Sequence, residues 1–358
     1  MNTQIDPLTS SATWSEIHDQ PAIWRDWAGG LAARAAQVRG WIGTRKPAGI
    51  WLCGAGTSAY VGQILASADP TMRPVATTDI VAAPQDWLHR REHHLVVQFG
   101  RSGDSSETVA ALDLLDAHRP DWDRLHVTCN RAGALATRGA PGPGEARVIV
   151  LPEATHDDGF AMTSSFSTML LSALACLSPF DAAQTLPRLA DFASALLSDP
   201  ALAEIARPDR AIFLGSGALT GAARESALKV LELTAGRTMT LWDSALGFRH
   251  GPKAAVNGST HVFVMLHPDR QTARYDADIA AEIRAQFPAA KVTTIGPGGD
   301  IALAVTGDAR ADAPLYVLPS QVLSARWSAD LGCPVDDPFA GQNLSRVVSG
   351  VNFYPYEG

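Results

Sequence analysis

The 358-residue sequence holds no run of basic residues. Lys+Arg 29 stand against Asp+Glu 37, a formal net charge of -8, and that balance excludes a nucleic-acid binder of the usual electrostatic kind. Four cysteines, Cys53, Cys129, Cys176 and Cys333, lie far apart, with no Cys-x-x-Cys and no His–Cys spacing. Neither a zinc site nor a disulfide framework is expected from them, and they read as reduced, buried thiols of a cytoplasmic protein. The longest strongly apolar window, Met169–Leu177, is too short to span a bilayer. The opening MNTQIDPLTS lacks the charged-then-apolar design of a secretion signal. With 46% hydrophobic and 18% charged residues, the chain is globular and long enough for two domains. An acidic chain must attract any anionic ligand locally, with turn amides and single basic residues.

Small and hydroxyl-bearing residues concentrate at two strand-to-helix turns. The apolar run Gly49–Cys53 empties into Gly54-Ala55-Gly56-Thr57-Ser58-Ala59, and Leu95–Phe99 empties into Gly100-Arg101-Ser102-Gly103-Asp104-Ser105-Ser106. A helix start leaves backbone N–H groups without partners and carries partial positive charge, so its natural guest is an anion such as a phosphate. An ordinary N-cap at Ser105 or Ser106 accounts for the second turn equally well. The first turn also fits a dinucleotide loop in part, with Ala59 at the third glycine place and Asp79 in the ribose window. Thr57 and Ser58, however, put hydroxyls where such a loop has bare backbone. Two hydroxyl-rich turns in one domain suit a monophosphate gripped from two sides.

Residues 13–40 carry an apolar stripe (Trp14, Ile17, Ile23, Trp24, Trp27) that predicts a helix, capped at Thr13 or Ser15 and open to interruption at Gly29-Gly30. An alternation of strands and helices follows, with strands at Gly49–Cys53, Pro74–Thr77, Leu95–Phe99, Leu125–Thr128 and Arg147–Leu151 and helices from Ala59, Ser105 and Thr163. Continuous apolar strands between helices predict a parallel sheet covered on both faces. Ser198–Arg210, polar and holding Pro200 and Pro208, reads as a linking segment and domain seam. The pattern then restarts. Ala211–Leu214 empties into Gly215-Ser216-Gly217, and further strands are expected at Thr238–Leu241, His261–Leu266, Lys291–Ile295 and Pro314–Leu318. The expected architecture is α/β, a tandem pair of doubly wound, flavodoxin-like parallel-sheet domains. The expected division is a helical segment 1–40, a first domain 41–197 and a second domain 198–358 with its tail. His93-His94 reads as a solvated strand edge.

In the second half, the helix Ala222–Leu233 sets Glu225, Lys229 and Glu232 on one face. Periodicity alone favours a surface stripe of i,i+3 and i,i+4 ion pairs, worth about 1 kcal/mol together. Leu246-Gly247-Phe248-Arg249-His250-Gly251-Pro252-Lys253 then places a histidine and two cations in a turn with no helical or strand period.

Taken in order, Gly54–Ser58, Arg101–Glu107, the Glu225…Lys229…Glu232 helix and Gly247–Pro252 resemble the sugar isomerase (SIS) domain pair, from about residue 40 to the C-terminus. Thr78-Asp79, Phe160–Phe166 and Asp243–Pro252 are most similar to its AgaS-type branch, described as galactosamine-6-phosphate deaminase/isomerase or tagatose-6-phosphate ketose/aldose isomerase. The resemblance implies that Gly56, Ser58, Arg101, Ser102 and Ser105 hold the phosphate, and that Thr57 and Thr163 face the sugar. It implies that Glu232 shuttles a proton between C1 and C2, Lys229 stabilises the enediolate, Glu225 supports them, and His250 opens the sugar ring, in its own subunit or, as in the related synthase, from the neighbouring one. A homodimer or higher homo-oligomer with shared sites follows from that last point. No cofactor and no metal are implied. No glutaminase domain precedes the pair, so nitrogen from glutamine is not expected to be used. Arg346 stands where the related synthase has an imine-forming lysine, and a guanidinium cannot form that imine. Arg101 stands in place of a neutral amide, which adds charge-assisted hydrogen bonds to the phosphate.

The expected activity is deamination with isomerisation of a hexosamine 6-phosphate, galactosamine 6-phosphate favoured, to a ketose 6-phosphate and ammonia, the ammonia released by water. The alternatives are ketose/aldose isomerisation of a 6-phosphate sugar such as tagatose 6-phosphate, deamination of glucosamine 6-phosphate, and a phosphosugar sensor without catalysis. The expected partners are a hexose or hexosamine 6-phosphate and a second copy of the chain, with neither nucleic acid nor membrane.

Overall fold

The computed structural model describes residues 6–67, 69–342 and 344–357. The first five residues of the expected signal-free start, and Asn343 of the C-terminal stretch, lie outside them. Contacts divide the chain into two units. The first comprises Asp26–His156, Ser164–Gln184 and the residues from Ser345 on, and the second comprises the residues up to Arg25, Asp157–Thr163 and Thr185–Leu344.

The chain opens with α1 (Ala12–Arg45), which runs through Gly29-Gly30 and Pro21 without a break. Neither Thr13 nor Ser15 caps it. Ser11 Oγ accepts the Trp14 N–H (3.2 Å), and the Asp336 carboxylate accepts the N–H groups of Ala12 and Thr13 (2.9 and 2.8 Å). The first unit continues with β1 (Gly49–Cys53), α2 (Thr57–Ala66), β2 (Met72–Pro74), α3 (Thr77–Ala82), α4 (Pro84–Trp87), β3 (His94–Gly100) and α5 (Ser106–His118). It closes with β4 (Asp123–Thr128), α6 (Ala134–Thr137), β5 (Ala146–Val150) and α7 (Ser164–Leu177). Its five strands form a parallel sheet of order β2-β1-β3-β4-β5. The central strands β3 and β4 are buried almost throughout, and α7 is buried on all sides from Ser164 to Cys176, its serine and threonine residues included.

The second unit takes most of α8 (Ala182–Leu197), then α9 (Ala201–Glu204), β6 (Arg210–Leu214), α10 (Ala218–Leu233), β7 (Met239–Asp243), β8 (Thr260–Met265) and α11 (Arg270–Gln286). It ends with β9 (Lys291–Gly296), β10 (Ile301–Ala302) and α12 (Ala309–Asp330). The sheet order, β10-β9-β8-β6-β7, repeats that of the first when each is read from its own first strand. The fold is therefore α/β, two doubly wound parallel sheets with an N-terminal helix.

The repetition extends to single backbone angles. Gly56 ends the turn after β1 at φ 55, ψ -131, and Gly217 ends the turn after β6 at φ 58, ψ -126, a region open in practice to glycine alone. A Cβ on Gly54 would lie 2.5 Å from the Ser58 backbone, and one on Gly215 would lie 2.4 Å from the Leu219 carbonyl oxygen.

Three expectations are corrected. Pro314–Leu318 is not a strand but part of α12, which is buried along most of its length and accommodates Pro314 and Pro319. A short apolar run has no periodicity to tell a buried helix from a buried strand. The second strand lies at Met72–Pro74, and Thr77 already opens α3. His94 is buried rather than solvated, its ring 5.4 and 4.8 Å from those of Trp51 and Trp122, and His93 Nε2 lies 3.0 Å from Asp123.

Candidate active site

In a parallel sheet of order 2-1-3-4-5 the chain leaves the first strand in one direction and returns past it in the other. A crevice opens at the carboxyl ends of the first and third strands. In the first unit those strands are β1 and β3, paired with Cys53 opposite Gln98. Gly56, Thr57 and Ser58 follow one strand, and Arg101, Ser102 and Ser105 follow the other. Six of the predicted residues are thus brought to one end of two neighbouring strands. Thr57, Ser58 and Arg101 are buried, and Ser102 and Ser105 are half-buried.

The turn after β3 is tied in place by hydrogen bonds. Neither helix start is capped by its own N-cap side chain; Ser105 is the N-cap of α5, but its hydroxyl pairs with that of Thr108 (2.7 Å). Asn130 Nδ2 donates to the Ser102 carbonyl (2.9 Å), and Asp104 accepts the Ala134 N–H (2.6 Å), so the Ser102–Ser105 turn is tied to the loop after β4. Gly103 sits at φ 71, where a side chain is strained, and a Cβ there would lie a tight 3.2 Å from both Thr128 and Leu135. The residues from Ser345 on lie against the same unit. The Val348 carbonyl accepts the Ser106 N–H (3.1 Å), Tyr356 contacts His118 at the far end of α5, and residues 351–356 with α3 and α4 line a groove of about 540 Å³.

In the second unit, α10 carries Glu225, Lys229 and Glu232, and the surface-stripe reading of them is overturned. Neither Glu225 nor Lys229 is exposed at all, and Glu232 keeps 22% of its side-chain surface. Lys229 Nζ lies 2.6 Å from Glu232 Oε2 and 3.5 Å from Glu225 Oε1. A fully buried ammonium between two carboxylates costs too much desolvation to serve as surface decoration. His250 is exposed, at the end of the 3₁₀ turn Gly247–His250, whose Phe248 is wholly buried.

Thr163 is fully buried. Its N–H and hydroxyl both donate to Asp157 (2.8 and 3.1 Å), an arrangement that holds the loop 157–163.

No family model matches the chain. Curated relatives do. The D-galactosamine-6-phosphate deaminase AgaS of Escherichia coli is 36% identical, with 97% of each chain covered. The chain belongs to the AgaS-type sugar isomerase family. A second AgaS relative, from Shewanella sp. (strain ANA-3), is 34% identical over 96% of this chain and 92% of its own. Among solved structures, tagatose-6-phosphate ketose/aldose isomerase from Escherichia coli superposes with a TM-score of 0.86 at 34% identity, covering 98% of both chains.

This AgaS-type chain also uses residues that its sequence did not single out. The switch point of the second sheet lies after β6 and β8, and Asp276 of α11 fills it from within. Its carboxylate accepts from Ser216 Oγ (2.5 Å) and from the His267 N–H (2.9 Å), and burial pushes its pKa up. Glu16 accepts the N–H groups of Asp158 and Gly159. Burial first, then the charges of Asp157 and Asp336, push it from its ordinary 4.5 to about 7. Glu282 of α11 bonds both Arg249 and Lys253, whose hydrogen bonds hold its carboxyl below the usual range. Each of these is an acidic residue in a polar segment, and nothing in its neighbours' spacing marks it.

Proposed function

We propose that this chain deaminates and isomerises a hexosamine 6-phosphate, galactosamine 6-phosphate in the first place, to a ketose 6-phosphate and ammonia. The carrying observation is the fully buried Lys229 ion-paired with Glu232, the one member of the α10 trio that keeps some exposure. Such a pair holds a cation next to a carboxylate that can still reach a ligand.

In this reading the first domain (41–197) binds the phosphosugar. Gly56, Ser58, Arg101, Ser102 and Ser105 take the phosphate with helix-start amides, hydroxyls and one guanidinium, and Thr57 turns to the sugar. The second domain (198–358) supplies the chemistry. His250 passes a proton to the ring oxygen as the bond from C1 to that oxygen breaks, and the C1 hydroxyl releases its proton to water to become the aldehyde. Glu232 then removes the C2 proton as general base, and its electron pair forms the C1=C2 double bond of an enolamine. Lys229, supported by Glu225, stabilises the oxygen that gains charge. Glu232 returns the proton to C1, leaving an imine at C2. Water adds to that carbon, the C–N bond breaks, and ammonia departs from a ketose 6-phosphate. Thr163 holds the 157–163 loop in this scheme. Arg346 takes no part by imine formation.

A homodimer is part of the reading. Met239, Leu241, Trp242 and Leu246, 40–59% exposed, leave apolar surface on the stretch that leads to His250, which supports a second copy there. Four buried cysteines, none of them in a disulfide among the described residues, support a reducing, cytoplasmic setting. Among the described residues, no helix is long and apolar enough to cross a membrane.

The test is Glu232→Gln, assayed for ammonia release and for ketose formation with galactosamine 6-phosphate, glucosamine 6-phosphate and tagatose 6-phosphate. The expected result is loss of turnover with sugar-phosphate binding kept within about threefold. Wild-type turnover in the variant refutes the assigned base. Isomerisation without ammonia from either amine replaces deamination by the simpler ketose/aldose reaction for which the solved Escherichia coli neighbour is named.

A further inference from the structure

We propose that Glu282, on α11, is the positioning residue that fixes His250 for ring opening. This rests on the reading of His250 given above. The turn that carries His250 is anchored at two places. On its apolar side, Phe248 is wholly buried in a core cluster with Ala245, Val256, Ile279 and Ile283. Gly251 follows His250 at φ 128, where a side chain would be strained, and Pro252 starts the next 3₁₀ turn, Pro252–Ala255.

On its charged side the anchor is a single carboxylate. Arg249 Nε donates to Glu282 Oε2 at 2.7 Å, and Lys253 Nζ donates to Glu282 Oε1. One oxygen thus serves the residue before His250, and the other serves the residue three places after it. Ile279 and Ile283 bury α11 on both sides of Glu282 in sequence, so the fork is referenced to the core rather than to a mobile surface. Without that carboxylate, two neighbouring cations repel each other across the histidine.

An imidazole that hands a proton to a ring oxygen must sit within hydrogen-bond reach of it. A misplacement of an ångström costs up to about 100-fold in rate. An exposed ion pair with only a surface role would move neither rate nor binding.

The experiment is a double-mutant cycle with Glu282→Gln and His250→Ala, read by ammonia release from galactosamine 6-phosphate and by thermal melting. Glu282→Gln is expected to lower kcat about tenfold, with KM unchanged within about twofold and the melting temperature within about 2 °C. In the His250→Ala enzyme the same substitution should change kcat by less than about twofold, because the residue it positions is gone. A tenfold loss in both backgrounds, or no loss in the wild-type background while His250→Ala is slow, overturns the role of Glu282 alone. Wild-type turnover in His250→Ala removes the reading of His250 itself, and the assignment of Glu282 falls with it.

Discussion

Lys229→Met removes one charge and keeps nearly the whole length of the side chain. The wild-type ammonium has no exposure, lies 2.6 Å from Glu232 and 3.5 Å from a Glu225 that is equally buried. Breaking a buried pair by deleting one partner typically costs about 3–5 kcal/mol, against about 0.3–0.5 for an exposed helical pair at the same spacing. For a unit of this size that converts to a fall in melting temperature of roughly 6–20 °C. The assay is thermal unfolding followed by far-ultraviolet circular dichroism and tryptophan fluorescence, taking the transition of the unit that contains α10. Arg25→Met, which breaks the exposed pair with Asp191, is the control and should stay within about 0.5 kcal/mol of wild type. The double variant Glu225→Gln/Lys229→Met should recover part of the loss, because it also neutralises a buried carboxylate that has lost the Lys229 charge. A Lys229→Met protein that melts within about 2 °C of wild type refutes the buried trio, and the surface-stripe reading returns.

Two further substitutions test acidic residues that the sequence left unmarked. Glu16 is raised in the folded protein from 4.5 to about 7, so the stability it contributes is complete below 4.5 and is lost as pH rises through about 7. That interval corresponds to at most about 3 kcal/mol, and partial contact with solvent reduces it to about 1–2. Glu16→Gln, neutral throughout, should therefore melt higher than wild type at pH 8 by that amount and lose its advantage toward pH 5; an advantage independent of pH contradicts the cause. Asp276→Asn sets an amide N–H against one of the two donors, Ser216 Oγ and the His267 N–H, and should destabilise by about 1–3 kcal/mol with KM for the sugar phosphate unchanged. A raised KM at unchanged stability would place Asp276 in substrate binding instead.

The strands were legible because a strand covered on both faces carries a continuous apolar run, as Ile50–Cys53 of β1, Leu95–Val97 of β3, Ala211–Leu214 of β6 and Val262–Met265 of β8 do. The two turns after β1 and β3 were legible because glycines and hydroxyls there have no helical or strand use. Burial of the α10 trio was not. Periodicity sets Glu225, Lys229 and Glu232 on one face but is silent about what covers it, and the local prior for such a face is water. The misreading of Pro314–Leu318 belongs to the same failure. α12 packs on α10, and a helix taken for a strand cannot be foreseen as a neighbour. Asp157, Asp276 and Glu282 escaped for a related reason, since their partners are backbone amides or side chains brought near only by the fold.

The two halves, compared with each other, support one anion site in the first. Both place a glycine of the same unusual backbone conformation at the start of the helix after the first strand, so both aim a positive helix end at the switch point of their sheet. In the second half the chain answers that charge itself. Asp276 lays its carboxylate between Ser216 and the backbone of His267, and the glycine-rich turn is complete without a guest. In the first half the two turns carry Thr57, Ser58, Ser102, Ser105 and Arg101, a set of donors with a fixed cation among them. The duplicated architecture calls for an anion twice. In the second half that anion is a carboxylate of the chain itself; in the first half the many donors and one guanidinium suit the function proposed above, in which the anion comes with the substrate.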